Sequence, residues 1–453
     1  MIRQSLVSHL EANQKLNPRQ HGFINRRSCL SQLLEHHDRI LSFLEDGHNV
    51  DSIYLDFAKA FDKVDTGILC HKIRQMGISG KLGILLHNFL TDRKQQVLAN
   101  GVKSSPSEVK SGVPQGTVLG PILFLILIND IDADVTSSSI SLFADDTRIV
   151  RQVDTEEDVE ALQEDLNKLY KWQETNNMQF NAKKFEILRY GRNQILKDST
   201  SYLTPNCEDL IEEKECLRDL GIMMTNDGSF SNHINLVCNR VKQKSGWILR
   251  TFQTRNTWFL KFMWKSLVQG HIDYCSQLYF PSKSSDLEKI ENLQKMYTTK
   301  IPQARNLDYW ERLKFLKMYS QERRLERYRA LYVWKILEGI SPNCGLVTTF
   351  SERRGREVAI PPVKGIASVQ SMREGSFQIH GGRLFNSLPK KIRYLSKISI
   401  EDFKMNLDKY LESLPDEPKI GGYIPSTCSQ VNMAPSNSII DQARVAPRRG
   451  YGG

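Results

Sequence analysis

Asp145 and Asp146 stand side by side in SLFADDTRIV, an otherwise apolar and β-favouring run, and Asp56 ends a second such run in SIYLDFAKAFDKVD. An acidic pair has an ordinary use at a solvated hairpin tip, where aspartate is a common turn residue. The second site adds to it. Ile53 and Leu55 alternate with Ser52 and Tyr54, which predicts a half-buried strand ending at Asp56, and a strand end is where a rigid scaffold offers a side chain to solvent. Carboxylates from two strand ends repel when brought together unless a cation lies between them, and a hard divalent metal is the natural partner of such oxygens. Mg2+, with Mn2+ as an alternative, would let such a site lower the pKa of an attacking hydroxyl and stabilise the leaving oxygen of an in-line phosphoryl displacement. Between the two acidic sites lies SGVPQGTVLGP, whose Gly112, Pro114, Gly116 and Gly120 permit a tight turn into a helix and whose Gln115 projects an amide. Taken alone it reads as a loop.

The elements that must hold these residues are mixed. Residues 1 to 45 carry apolar positions at helical spacing, NVDSIYLDF switches to strand alternation, and two helical patterns follow before the short β-like pieces QQVLANG and SEVKSGVPQG. A helix is expected from about Val118, then a pair of strands in SISLFADDTRIV, then an amphipathic helix through Val159, Leu162, Leu166 and Leu169. The order predicts an α+β fold, a split βαβ sheet with helices rather than a regular parallel sheet. The apolar run from Val118 is broken by Pro121 and is too short to cross a bilayer, so it reads as a buried core helix and no membrane partner is expected.

With 62 basic and 52 acidic residues the 453-residue chain has a formal charge of +10, which favours a polyanionic partner, and its length predicts two or three domains. The charge is concentrated. Residues 240 to 335 hold 20 Lys and Arg against 8 Asp and Glu, together with five of the six tryptophans, in a stretch that reads as helical from about Ser231 to Leu337. Interleaved cations and aromatics can track phosphates, whereas the same aromatics can equally fill a helical core while the cations face water. SERRGREVAIPPVKG reads as extended, a compact segment through FKMNLDKYL ends in a helix, and the last stretch, rich in Gly, Pro, Ser and Asn, reads as disordered. The eight cysteines are scattered singly and predict reduced thiols in an intracellular protein, without a zinc site. The amino terminus lacks the apolar segment of a secretory signal.

The ordered series LDFAKAFDKVD, SGVPQGTVLGPILFLILINDI and LFADDT resembles the palm of reverse transcriptases, specifically those of non-LTR retrotransposons of the jockey-like (LINE-type) and related kinds. SLVSHLEANQKLNPRQHGFINRRSC is similar to the segment before that palm, QFNAKKFEIL to its fourth motif, and CLRDLGIMM to the primer-grip hairpin. HINLVCNRVKQKSGWILR and YCSQLYFP resemble the thumb.

The resemblance, which covers about residues 1 to 415, implies a right-hand polymerase with a ferredoxin-like palm: partial fingers over 1–45, palm over 46–228, a basic helical thumb over 229–337, a helical extension over 338–415 and a disordered tail over 416–453. It implies an RNA-directed DNA polymerase that uses an RNA template, a DNA primer and deoxynucleotides. Asp56 and Asp145 would be the principal metal ligands with Asp146 in support, and Lys184 the general acid toward pyrophosphate, although a solvated lysine after a turn is an equally ordinary reading. Phe61 would be the ring that excludes a ribose 2′-hydroxyl, Gln115 and Gly116 would contact template and nascent base pair, and Leu220 and Gly221 would form the primer grip. Asp62 and Asp65 read as structural or solvated, and His71 and His271 as ordinary helix residues.

The pattern departs from the family where the chain starts inside the fingers and where Ile24 stands in QHGFI at a position commonly basic. The amino-terminal endonuclease and a Cys/His knuckle are not found, so integration would need a separate chain, acting in the nucleus or reached from the cytoplasm. A truncated, inactive nucleic-acid-binding protein is the alternative expectation.

Overall fold

The strand that leads into Asp56 lies at the middle of a sheet, and the rest of its unit is arranged around it. The computed structural model describes residues 2–205, 209–281, 283–351, 355–418 and 437–445. It separates into two compact units, Met1–Gln32 with Gly47–Leu217, and Leu33–Asp46 with Arg218–Gly453.

In chain order the elements begin with α1 (Ile2–Ala12), α2 (Cys29–Glu45), β1 (Val50–Leu55), α3 (Thr66–Gln75) and α4 (Gly80–Leu90). Four short strands follow, β2 (Arg93–Gln95), β3 (Leu98–Ala99), β4 (Val102–Lys103) and β5 (Ser107–Val109), paired as two small ribbons. Then come α5 (Gly120–Ile128), β6 (Ser139–Phe143), β7 (Asp146–Gln152), α6 (Glu156–Thr175), β8 (Glu186–Tyr190), α7 (Gln194–Ser199) and β9 (Glu212–Glu213). The main sheet has the order β6-β7-β1-β8-β9, with β1 antiparallel to both β7 and β8. Its first four members follow a β-α-β-β-α-β path in chain order, the split βαβ arrangement expected from the sequence, and β9 adds a parallel edge to β8.

β1 differs from the half-buried strand that alternation predicts. As a central strand it is covered on both faces, so Asp51 and Ser52 are buried along with Ile53 and Leu55. Asp51 is accommodated because the Arg189 guanidinium lies 3.2 Å away on β8 and the Tyr202 hydroxyl donates to it over 2.7 Å. Helix α5, GPILFLILI, has no polar face and every residue from Ile122 to Ile128 is buried, as a core helix rather than an amphipathic one requires. At roughly 1.5–3 kcal/mol for each buried large aliphatic or aromatic side chain, this helix is a main anchor of the first unit. Asp65 caps α3 by accepting from the backbone N–H of Gly67 and Ile68, so the structural reading of that residue holds. Residues 13 to 28, expected within a largely helical stretch, form turns instead, with Pro18 and Gly22 interrupting the period.

The second unit carries β10 (Cys216–Asp219) and β11 (Ile222–Thr225) at its boundary, then α8 (Ser231–Thr251), α9 (Thr257–Met263), a π-helical turn Trp264–Val268, and α10 (Gln269–Asp273). α11 (Ser284–Thr298), α12 (Tyr309–Leu316) and α13 (Gln321–Leu337) complete the helical stretch. The segment read as extended pairs as an antiparallel ribbon of β12 (Thr348–Ser351) and β13 (Gly355–Val358). Beyond it lie α14 (Ala367–Gly375), α15 (Gly382–Ser387), α16 (Lys390–Arg393), α17 (Ile400–Leu411) and α18 (Ile439–Val445).

α18 corrects the expectation of a wholly disordered tail. The Asn437 side chain donates to Asp416 and Ser320, the Ser438 hydroxyl and Ile439 N–H donate to the buried carboxylate of Glu326, and Ile439 is fully buried. A polar composition is kept in place here by hydrogen bonds. The remainder of the tail, residues 419–436 and 446–453, lies outside the described residues.

The basic stretch is also less of a surface than its composition suggests. Arg323 and Arg329 are fully buried, Arg312 nearly so, and Arg324 and Arg327 pair with Asp273 and Asp408. Trp264, Trp310 and Trp334 sit in the interior, whereas Trp247 is 45% and Trp258 70% exposed. The six described cysteines are free thiols, and Cys207 and Cys428 lie outside the described residues. Among the described residues no helix is long and apolar enough to cross a membrane.

Candidate active site

The register of the sheet brings the acidic residues of the first unit together. Leu55, the last residue of β1, pairs with Thr147 on β7, and Asp146 pairs with Phe143 across the β6–β7 turn, so Asp56 leaves β1 beside the turn that carries Asp145 and Asp146. The backbone N–H of Asn181 donates to the carbonyl of Asp56 over 2.7 Å and draws in the loop Ala182–Lys184. From that loop the exposed ammonium of Lys184 reaches Oδ2 of Asp56 at 2.7 Å.

The environment of this corner acts on Asp145, Asp146 and Lys184. Burial pushes the Asp145 carboxyl above the ordinary carboxylate range, with Asp146 and Asp56 adding to the rise. Asp146 is raised by desolvation at its own position and by Asp56, against the pull of Arg148. Lys184 is raised by its hydrogen bond to Asp56 and by the charges of all three carboxylates. Among the described residues no three His, Cys, Asp or Glu side chains close on one point as a finished metal cage, and one carboxylate is engaged by Lys184. By donor chemistry the residues nonetheless fit a hard divalent ion: three carboxylates share one corner, and two are raised by burial first and by neighbouring carboxylate charge second.

The turn itself is strained and clamped. Ala144 takes a left-handed φ of 55°, unfavourable for a residue with a Cβ. Gln20 holds it: its Oε1 accepts from the N–H of Ala144 at 2.8 Å and of Gly22 at 2.7 Å, and its Nε2 donates to the Ala144 carbonyl at 3.2 Å. The N–H of His21 donates to Leu142 on β6 at 2.8 Å, laying the segment alongside the sheet. A Cβ on Gly22 would fall 2.4 Å from the Ala144 nitrogen, so only glycine permits this approach. Gln20, His21 and Gly22 are positioning residues that sequence reasoning quoted within QHGF without giving them a task. The available signal was a buried-type amide beside a glycine ahead of the helical run of α2.

Phe61 and the SGVPQG turn form a second group within the first unit. Phe61 is half-buried, stacks on Phe124 with centroids 4.4 Å apart, and meets Phe23 edge-on at 6.2 Å. The SGVPQG turn packs on the same loop, because the N–H of Val113 donates to the Phe61 carbonyl and the Ser111 hydroxyl to that of Asp62. Gln115 and Gly116 are exposed there, and the Gln115 amide donates to Asp62 at 2.6 Å, which fits the reading of Asp62 as structural or solvated. Leu220 and Gly221 form the turn of the β10–β11 hairpin, both with positive φ (41° and 89°), as a type I′ turn requires. The Tyr274 hydroxyl donates to the Leu220 carbonyl at 2.7 Å, and a Cβ on Gly221 would lie 3.2 Å from the Tyr274 ring. His71 and His271 lie on α3 and α10.

Residues 1–224 match the family model described as reverse transcriptase (RNA-dependent DNA polymerase), and that segment is a reverse transcriptase domain. The chain's more particular kinship is with mobile-element enzymes. It is 25% identical over 305 residues to the RNA-directed DNA polymerase from mobile element jockey of Drosophila melanogaster, covering 65% of this chain and 33% of that protein. The jockey protein of Drosophila funebris is 27% identical over 315 residues, covering 67% and 34%, and the probable RNA-directed DNA polymerase from transposon X-element of Drosophila melanogaster is 25% identical over 302 residues, covering 65% and 33%. The chain thus spans about a third of the length of these curated relatives. Among solved structures, a telomerase from Candida albicans in complex with a fragment of telomeric RNA aligns at a TM-score of 0.43 and 12% identity, over 76% of this chain and 52% of that one.

Proposed function

We propose that this chain is an RNA-directed DNA polymerase of a non-LTR retrotransposon, which extends a DNA 3′-hydroxyl with deoxynucleotides on an RNA template. The observation that carries the reading is the convergence of Asp56, Asp145 and Asp146, from two separate strand ends, on one corner with Lys184. In this reading residues 1–45 are partial fingers, 46–228 the palm, 229–337 the thumb and 338–415 an extension.

The three carboxylates would hold Mg2+, or Mn2+ in its place. Such bound ions supply activation of the attacking hydroxyl and charge stabilisation on the departing phosphate oxygen. Lys184, held charged by its hydrogen bond to Asp56 and by the carboxylates, would keep a proton at Nζ and deliver it as pyrophosphate leaves. Phe61 presents a ring backed by Phe124, which resists displacement by a 2′-hydroxyl and so favours deoxynucleotides. Gln115, steadied by Asp62, offers an amide edge to the nascent base pair.

The test is primer extension by the purified chain on an RNA template annealed to a DNA primer, with Mg2+ and deoxynucleotides, beside Asp145→Asn. Extension by the wild type alone supports the polymerase, and binding by the variant should stay close to wild type because the carboxylates oppose phosphates rather than hold them. A duplex bound but never extended by the wild type would assign the chain to nucleic-acid binding instead.

A further inference from the structure

Helices α3 and α4 of the first unit leave a seam between them that the chain does not fill. Six of the eleven residues of α4, GKLGILLHNFL, are large and apolar, yet only Leu86 and Leu90 are buried. Leu85 is 45% exposed and Ile84 63%. Gly80, Gly83, Ile84 and His87 stand at i, i+3, i+4 and i+7 and so share one face of the helix. Two of those four positions have no side chain, and where they face α3 a cleft of about 240 Å3 opens, lined among others by Cys70, Ile73, Arg74, Ile78, Ile84 and His87. A Cβ on Gly80 would meet nothing within 4 Å, and one on Gly83 would meet only the backbone of Ile78, so neither position is kept small by a close approach of α3.

The floor of the cleft is apolar and its rim is cationic. Cys70, Ile73 and Ile78 are buried, whereas Ile84, Arg74 and His87 stand at the surface. Residues 66–91 contain no Asp or Glu. Of their three Lys and Arg residues, Lys72 is paired with Asp130, but exposed Arg74 and Lys81 make no side-chain hydrogen bond or ion pair among the described residues. Lys81 lies one turn from Ile84 and Leu85, so charge and exposed apolar surface are neighbours there. The cleft is smaller than the roughly 300–1,000 Å3 of a small-molecule site and suits one inserted side chain, the way a protein partner anchors itself. No Phe, Tyr or Trp lines it, so it offers a nucleobase nothing to stack on. A second copy of the chain bound through the same face would set Arg74 and Lys81 against their own likes. An acidic partner meets them favourably.

We propose that the seam between α3 and α4 docks an acidic protein partner, which inserts one large apolar side chain between Ile73, Ile78 and Ile84 and sets carboxylates against Arg74 and Lys81. The inserted side chain supplies most of the affinity by leaving water, and the exposed charges choose the partner. The surface stands apart from the acidic corner and does not depend on the polymerase reading.

The probe is a phage-displayed library of short random peptides, panned on the full chain after depletion on the double variant Arg74→Glu/Ile84→Glu. That variant changes two exposed side chains and leaves the buried floor intact. Enriched sequences should carry a large apolar residue flanked by Asp or Glu. As synthetic peptides they should shift the δ1 13C-methyl signals of Ile73, Ile78 and Ile84 in the full chain and bind the double variant about tenfold or more weakly. Their affinity should also fall as salt rises, because the charged contacts lie at an exposed rim. Failure to enrich any sequence that distinguishes the full chain from the variant overturns the proposal, as does enrichment of basic or uncharged sequences. It is likewise overturned if phosphatidylserine vesicles or single-stranded DNA move the same methyl signals while the peptides do not, which would assign the seam to a membrane surface or to a nucleic acid. None of these readouts uses the carboxylates of the acidic corner, so a chain that fails to extend primers leaves this test intact.

Discussion

Lys184 places its ammonium 2.7 Å from Oδ2 of Asp56, the carboxylate that the sheet sets beside Asp145 and Asp146. One side chain thus neutralises part of the acidic corner, and in the proposed reaction it would give up a proton. Lys184→Met should slow extension about a hundredfold, the scale of a lost general acid, and should also lower the Mg2+ concentration needed for half-maximal rate, because Asp56 is released. Rate measured against Mg2+ concentration separates the two effects. An unchanged rate would remove Lys184 from the chemistry.

Gln20 should matter to turnover more than to substrate affinity. Gln20→Ala removes the acceptor for the N–H groups of Ala144 and Gly22 and leaves the strained turn unsupported, at a cost of about 1–3 kcal/mol for each buried group left unpaired. We expect kcat for extension to fall about tenfold or more while KM for deoxynucleotides moves little. A rise in KM alone would contradict a positioning role.

Phe61→Val should admit ribonucleotides, raising their incorporation relative to deoxynucleotides. The same change gives up the stack on Phe124 and should lower stability by roughly 1–2 kcal/mol. Competition between paired ribo- and deoxynucleotides reads the first effect and thermal melting the second. Unaltered sugar discrimination would end the gate assignment.

The second unit should lose stability as pH rises. Glu291 is fully buried, accepts hydrogen bonds from the Tyr309 hydroxyl and the Gln321 N–H, and keeps its proton to about pH 8, against 4.5 for the free side chain. Between those values the folded chain binds more protons than the unfolded one, so stability present below pH 4.5 is lost as pH climbs to about 8. His37 and His233 run the other way: lowered from 6.5 to about 4, they withdraw stability as pH falls through that interval. Glu291→Gln keeps an amide able to meet both partners, so its melting temperature relative to wild type should increase steadily from pH 5 to pH 8. A pH-independent difference would show that Glu291 is ionised in the fold.

Alternation, turn chemistry and the order of the acidic motifs made most of the sheet legible, because strand ends and hairpin turns are local properties. The centrality of β1 was not, since two-sided burial of Asp51 depends on Arg189 and Tyr202, far along the chain. The role of Gln20 was hidden for the same reason: its partner Ala144 is 124 residues away, and the glycine two residues on from Gln20 marks a close approach without saying to what. The arginines of α13 were read as surface charge because composition does not distinguish a solvated guanidinium from one bonded to carbonyls within the fold. The order of residues 437–445 likewise follows from Glu326 and Arg323 on α13, not from the segment's own polar sequence.

The clamp of Gln20 and Gly22 on Ala144 changes how damage to such an element should be scored. Copies of mobile elements are naturally sorted by whether their acidic triplet survives. In the proposed polymerase, Asp56, Asp145 and Asp146 could all be kept and activity still be lost through a single base change that puts any side chain at position 22, where even one methyl group would meet the Ala144 nitrogen at 2.4 Å. Counting aspartates would class such a copy as alive, while inspection of two inconspicuous codons far upstream would class it as dead.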